Sequence, residues 1–214
     1  MSESTATGGR LPGILLAVGA LVFLGAGFTD VGGEVYSANS AEEIAAALDG
    51  ARGTWDASNW IGAIGVVIAA SGLFMLGRQI GNAASVSRTD RAAAVVKWAG
   101  LATLVYVIVQ IYNATASTES LAETYSDPTA SATLIASGLA WTAAALAVFI
   151  ALGLALLWLP HQRWLGWFVL ILGVITTVIV GAFLGPSAAY LVLAIAGMTL
   201  AISPVLTAAR QGAD

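Results

Sequence analysis

Polar side chains are scarce within the apolar runs of this chain, and the densest set lies in the third run: Thr103, Tyr106, Gln110 and Asn113. Their spacings of three and four residues put them on one face of a helix. Polar groups surrounded by hydrocarbon are costly unless paired, so this face is expected to point inward, toward Trp141, Thr142 or other polar atoms. Two readings follow. The face is a structural hydrogen-bond network, or it is a vestibule, open to the outer side, for a ligand or a small neutral or weakly polar solute. Tyr112 and Asn113 at its outer end are expected to meet water.

Titratable chemistry is harder to assemble. No charged residue falls near the middle of an apolar run, and such residues are what mark ion paths and proton relays. Lys97, the only lysine, lies one turn into the third run beside Trp98. Its stem can carry the ammonium to the headgroups, which makes it an anchor. His161 is the only histidine, so bis-histidine haem ligation within the chain is excluded, and a metal site built on it would need carboxylates that lie elsewhere. Glu42 and Glu43 are adjacent and diverge by about 100 degrees on a helix, a poor arrangement for acid-base work. The outer acids lack the spacing of a calcium loop. With no Cys, thiolate catalysis, disulfides and Cys-ligated metals are excluded. No metal and no cofactor is expected. Asn113-Ala114-Thr115 fits a glycosylation sequon but lies against the membrane, and Gly62 and Gly65 follow no strand that would make them a nucleotide loop.

The elements that must position these residues are six long apolar runs in 214 residues, with 58% hydrophobic and 9% charged residues and a mean hydropathy of +0.88. Soluble domains carry about 25% charged residues. The reading is an all-α polytopic membrane protein, one bundle of six transmembrane helices at about 11–28, 60–76, 93–112, 131–159, 164–184 and 188–206, forming a single domain over 1–214. The first run is expected to be an uncleaved helix rather than a signal peptide.

Charge sets the threading. Of the eight basic residues, only Arg52 falls in an outer loop, and of the twelve acids only Glu3, Asp90 and Asp214 fall on the other side. Basic residues are retained on the cytoplasmic side during insertion, so both termini are expected inside, with the plasma membrane of a prokaryote as the location. Trp158, Arg163 and Trp164, together with Lys97 and Trp98, are expected as anchors at the inner interface, and Trp55 and Trp60 at the outer one. No basic run suits nucleic acid.

Short outer helices are expected in both long outer loops. Ser40 followed three residues later by Glu43 reads as a capping box that starts a helix over 41–48, ending at Gly50, with Ile44 and Leu48 as its apolar stripe. Small residues at four-residue spacing, among them Gly13 and Ala17, Ala136-Ala140-Ala144, Ala147-Ala151-Ala155, and Gly173-Thr177-Gly181-Gly185, would let helices approach closely within the bundle or between copies.

The inner turn Leu159-Pro160-His161-Gln162-Arg163-Trp164-Leu165-Gly166-Trp167, followed by Leu172-Gly173-Val174, resembles the Pro-Arg-Trp-Leu-Gly segment of a family of small multipass prokaryotic membrane proteins, the domain of unknown function 4386. The layout is similar too: a Gly-rich first run, an Ala-rich outer helix at 41–48, and a second run ending in Leu76-Gly77-Arg78. The chain departs from the segment by placing His161 and Gln162 between Pro160 and Arg163. The resemblance implies architecture and no catalytic residue.

The expected function is therefore a non-enzymatic one, as a scaffold or complex subunit whose partners are the lipid bilayer and either a second copy of the chain or another membrane protein. The alternative is a transporter or channel for a small neutral or weakly polar solute along the Tyr106-Gln110-Asn113 face. An intramembrane enzyme would need two convergent titratable groups at one depth.

Overall fold

A computed structural model describes residues 3–27, 30–82, 87–127, 139–180 and 189–203, and every regular element among them is helical. In chain order these are α1 (Glu3–Gly27), α2 (Asp30–Ser37), α3 (Ala41–Asn82), α4 (Ser87–Thr103), α5 (Val105–Thr115), α6 (Thr118–Ser126), α7 (Leu139–Leu157), a 3₁₀ turn at Pro160–Gln162, α8 (Arg163–Ile175) with a π-helical turn at Thr176–Val180, and α9 (Ala189–Ile202). Three stretches are long and apolar enough to cross a bilayer: Gly9–Gly27, Ala41–Asn82 and Asp90–Thr115. Three shorter apolar helices follow, Thr142–Leu157, Arg163–Val178 and Ala189–Ile202. The ends of the fourth, fifth and sixth expected runs, at 131–138, 181–184 and 204–206, lie outside the described residues, as do Ala136, Gly181 and Gly185.

The long helices pack as a ring of neighbours. α1 lies against α3 and α9, α3 against α4, α4 against α7, α7 against α8, and α8 back against α9. Glycine sets the closest of these crossings. A Cβ at Gly65 would stand 2.7 Å from the Phe23 nitrogen and 2.8 Å from the Gly19 oxygen, and one at Gly19 would collide with the backbone of Gly65 and Ala69. Gly13 and Gly197 hold α1 on α9 in the same reciprocal way, and Gly153 and Gly166 hold α7 on α8. Where the surroundings are as apolar as the side chains, close van der Waals contact between backbones is the main gain from packing. Gly13 and Ala17 of the expected ridges do serve this purpose, because a Cβ at Gly197 would strike the Ala17 nitrogen.

Two local departures from a regular α-helix have threonine at their root. Thr103 Oγ1 donates to the Ala99 oxygen at 2.8 Å, and a hydroxyl returned to its own helix tends to bend it. The chain tightens next, with Leu104 N–H donating to Leu101 and Val107 N–H to Leu104. The expected third run is thus two helices, α4 and α5, joined through one tight turn. In α8, Thr176 and Thr177 donate to the Leu172 and Gly173 oxygens at 2.6 Å, where the π turn begins.

Outside the ring, α2, the first part of α3, and α6 form a cap with its own apolar cluster: Val31, Val35, Ile44, Leu48, Trp55, Leu121 and Ala122. The first half of the capping box forms, with Ser40 Oγ accepting from Glu43 N–H at 3.3 Å, while Glu43 Oε2 reaches one residue further back than the N-cap and accepts from Asn39 N–H at 2.8 Å. Ile44 and Leu48 are fully buried in the cluster. The helix does not stop at Gly50. It breaks at Ala51 (φ -145, ψ 30) and resumes as one 42-residue element. The part beyond the break is about 45 Å long at 1.5 Å per residue, against about 30 Å of hydrocarbon, so α3 carries the cap on a projecting stem.

Two outcomes follow. Gly19→Val in the full chain in detergent is expected to lower stability by about 1–3 kcal/mol through overpacking, whereas Gly25→Val, at a position with nothing within 4 Å, should leave the melting temperature nearly unchanged; equal effects would refute the packing role. At the α3 start, backbone and Ser40 hydrogen bonds hold the Glu42 carboxyl below its ordinary value. A depressed carboxyl supports the fold above its unfolded pKa, and that support fades as pH falls through and below about 4. Corrected for the intrinsic pH dependence of exchange, the protection of amides in the first turn of α3 should therefore fall on acidification, and less so in Ser40→Ala.

Candidate functional site

The C-cap closes the last regular turn of α5, and two later carbonyls, which have no intrahelical donor, are answered from α3. Tyr112 O accepts from Ala116 N–H at 2.8 Å. Asn113 O accepts from the Trp55 indole N–H at 2.8 Å. Ala116 O accepts from the Arg52 guanidinium at 2.7 Å, and that same side chain pairs with Asp56 at 2.8 Å. A cation at a helix C-terminus also meets the negative end of its dipole. Arg52, the single base expected outside, thus joins the two outer segments.

α6 is fastened on top. Tyr112 and Thr124 hydroxyls lie 2.8 Å apart, and the Tyr125 hydroxyl donates to Asn113 Oδ1 at 2.9 Å. The Trp55 and Tyr125 rings meet edge to face at 6.2 Å. Asn113 is fully buried by these neighbours, which corrects the expectation that it meets water, and the fully buried carboxamide leaves no room for a glycan on it. Trp55, only 2% exposed, is likewise a core residue and not an interfacial indole; Trp60 is exposed as expected. Among the described residues, Asn113 Nδ2 is the buried side-chain nitrogen left without a hydrogen-bond partner.

One turn inward, Gln110 is buried against α3, its Oε1 2.8 Å from where a Cβ on Gly62 would sit. Asn59, one turn from Gly62, is also buried and donates to the Trp55 oxygen at 2.8 Å. Asn59, Gln110 and Asn113 therefore make a layer of carboxamides between α3 and α5. Deeper again, Tyr106 joins Phe23 of α1 and Tyr190 of α9 in an aromatic cluster, with centroids 5.9 Å from Phe23 and 5.3 Å from Tyr190. Phe23 and Tyr190 lie 4.2 Å apart. Thr103, fully buried, satisfies its hydroxyl within its own helix.

The four residues of the expected polar face thus share one buried side of α4 and α5 but not one network. The face divides into a self-bonded threonine, an aromatic cluster and the carboxamide layer. Trp141 belongs to α7, but its side chain lies outside the described residues. The partners that sequence spacing could not supply are Trp55, Asn59, Gly62, Tyr125 and Tyr190, which come from other helices.

At the opposite end, Lys97, Trp98, Trp158, Arg163 and Trp164 are all exposed, Trp98 at 67%. His161 is exposed, but Gln162 is 2% exposed and donates to the Ser203 oxygen at 3.1 Å, tying the inner turn to the end of α9. No group of three His, Asp or Glu suited to a metal occurs among the described residues.

A double-mutant cycle tests the Tyr125–Asn113 link. Tyr125→Phe, which takes the donor away from the buried Asn113 Oδ1, should cost about 1–3 kcal/mol, and combining it with Asn113→Leu should cost less than the sum of the two single losses. Additive losses in thermal stability would refute the coupling.

Comparison with family models, curated proteins and solved structures finds no match to this chain.

Proposed function

We propose that the chain is a six-span protein of a prokaryotic plasma membrane, with both termini cytoplasmic, that works by interaction as a scaffold or complex subunit and not by catalysis. The carrying observation is where the polar groups go. Arg52, Trp55, Tyr112, Asn113 and Tyr125 are occupied in fixing the outer cap to α3 and α5, which leaves an outward-facing folded surface rich in exposed acids such as Glu34, Glu42, Glu43 and Glu119. Such a surface suits recognition of a partner by charge.

The proposed six spans join the three helices long and apolar enough to cross a bilayer to the three shorter apolar helices, and the charge partition of the sequence is what favours threading all six. The resemblance to the domain of unknown function 4386 is part of the same proposal and concerns architecture alone. The chain contains no cysteine, so single cysteines report topology without background. One at Glu119 should react with an impermeant maleimide from outside in intact cells, and one at Arg78 only after lysis. The reverse pattern would overturn the orientation.

A second reading, a path for a small neutral solute along α5, is favoured by the unpartnered Asn113 Nδ2 in the carboxamide layer. The two readings separate in proteoliposomes. Interaction predicts that the wild-type chain leaves permeability to glycerol and urea unchanged, and that a photo-crosslinker at Glu119 captures a second copy or another membrane protein. Solute flux that Gln110→Leu abolishes without loss of stability would replace the first reading by the second.

A further inference from the structure

Beside the contact of α3 with α4 lies an open-sided cavity of about 430 Å³, walled by Phe74 and Gly81 from α3 and by Ala93, Ala94, Lys97 and Trp98 from α4. Its volume falls within the range of about 300–1,000 Å³ common for ligand sites. Apolar walls and an exposed indole suit a hydrocarbon chain and the interface above it. Lys97 is not a free-swinging side chain. Its Cγ lies 2.8 Å from where a Cβ on Gly77 would be, so the missing side chain at Gly77 leaves a notch that receives the lysine stem. Helical side chains lean toward the N-terminus, which here carries the ammonium back toward the inner end of the groove.

Charge at that end is unbalanced. Asp90 lines the groove about 10 Å from Lys97 along the helix, and among the described residues neither takes part in an ion pair. Arg78, between Phe74 and Gly81 along α3, and Arg91, next to Asp90 on α4, are both exposed. Three cations against one carboxylate favour an anion, and basic pockets between helices on the cytoplasmic side recognise anionic head groups.

We propose that this groove is a binding site for one anionic phospholipid of the inner leaflet, its phosphate at the Lys97 ammonium and an acyl chain along Phe74 and Trp98. The inference rests on the membrane reading above but is independent of the interaction role.

The full chain in nanodiscs of phosphatidylcholine with added phosphatidylglycerol, followed by native mass spectrometry, tests it. The expected result is one retained phosphatidylglycerol per chain. Its preference over phosphatidylcholine should fall about fivefold in Lys97→Gln, persist in Lys97→Arg, fall in Ala94→Phe, which fills the groove without changing charge, and stay unchanged in Arg163→Gln at the other inner turn. Matched melting temperatures confirm that the variants fold. Equal retention of the two lipids, a preference indifferent to both Lys97→Gln and Ala94→Phe, or displacement by glycerol 3-phosphate as effective as by lipid would overturn the site. A chain that stays dispersed in aqueous buffer and never enters nanodiscs would instead refute the membrane reading, and the lipid site with it.

Discussion

Backbone contact around α1 is the constraint on which the rest of the arrangement depends. Gly19 against Gly65 and Gly13 against Gly197 bring α1 so near to α3 and α9 that no side chain fits between them. Once those two crossings are set, Phe23 must fall between Tyr106 and Tyr190, and the polar side of α5 must face α3. Gly62 then leaves room for the Gln110 carboxamide. Helix placement by glycine thus comes first, and the polar layer is a result of it.

The outer cap depends on that placement in turn. Its apolar cluster is small, and α6 has few buried residues of its own. It is held because the end of α5 offers carbonyls that Trp55 and Arg52 satisfy from α3. The same contacts solve two problems, closing a helix terminus and joining two loops far apart in sequence. That economy explains why Asn113 and the groups bonded to it lie at the junction between cap and ring.

What could be read from sequence was what is local. Ser40 and Glu43 announce a helix start three residues apart, and the hydrogen bonds are there. Ile44 and Leu48 mark a stripe four residues apart, and both are buried. The common inward face of Thr103, Tyr106, Gln110 and Asn113 likewise follows from spacing. What could not be read was identity of partner. An indole suits an interface and a core equally by composition, so Trp55 gave no sign that α5 and α6 would enclose it. Small-residue spacing flags a face but not its mate: Gly65 and Gly19 carry no mark of each other. The stripe of Val31 and Val35 in α2 has the same spacing, but its mate in α3 carries no local mark.

One further consequence comes from α3. Its stem runs without interruption from just past Ala51 to Asn82, bearing Trp55 near one end and, near the other, the Gly77 notch that seats Lys97. An α-helix resists bending over such a length, and its departures from straightness are concentrated at identifiable breaks. The break in α3 lies at Ala51, on the cap side of Trp55. Torque applied to the first helical segment is therefore taken up at that joint, whereas torque applied through Trp55 or Arg52 turns the whole stem. The cap and the far end of the bundle are thus joined through one helix, whose break at Ala51 lies on the cap side.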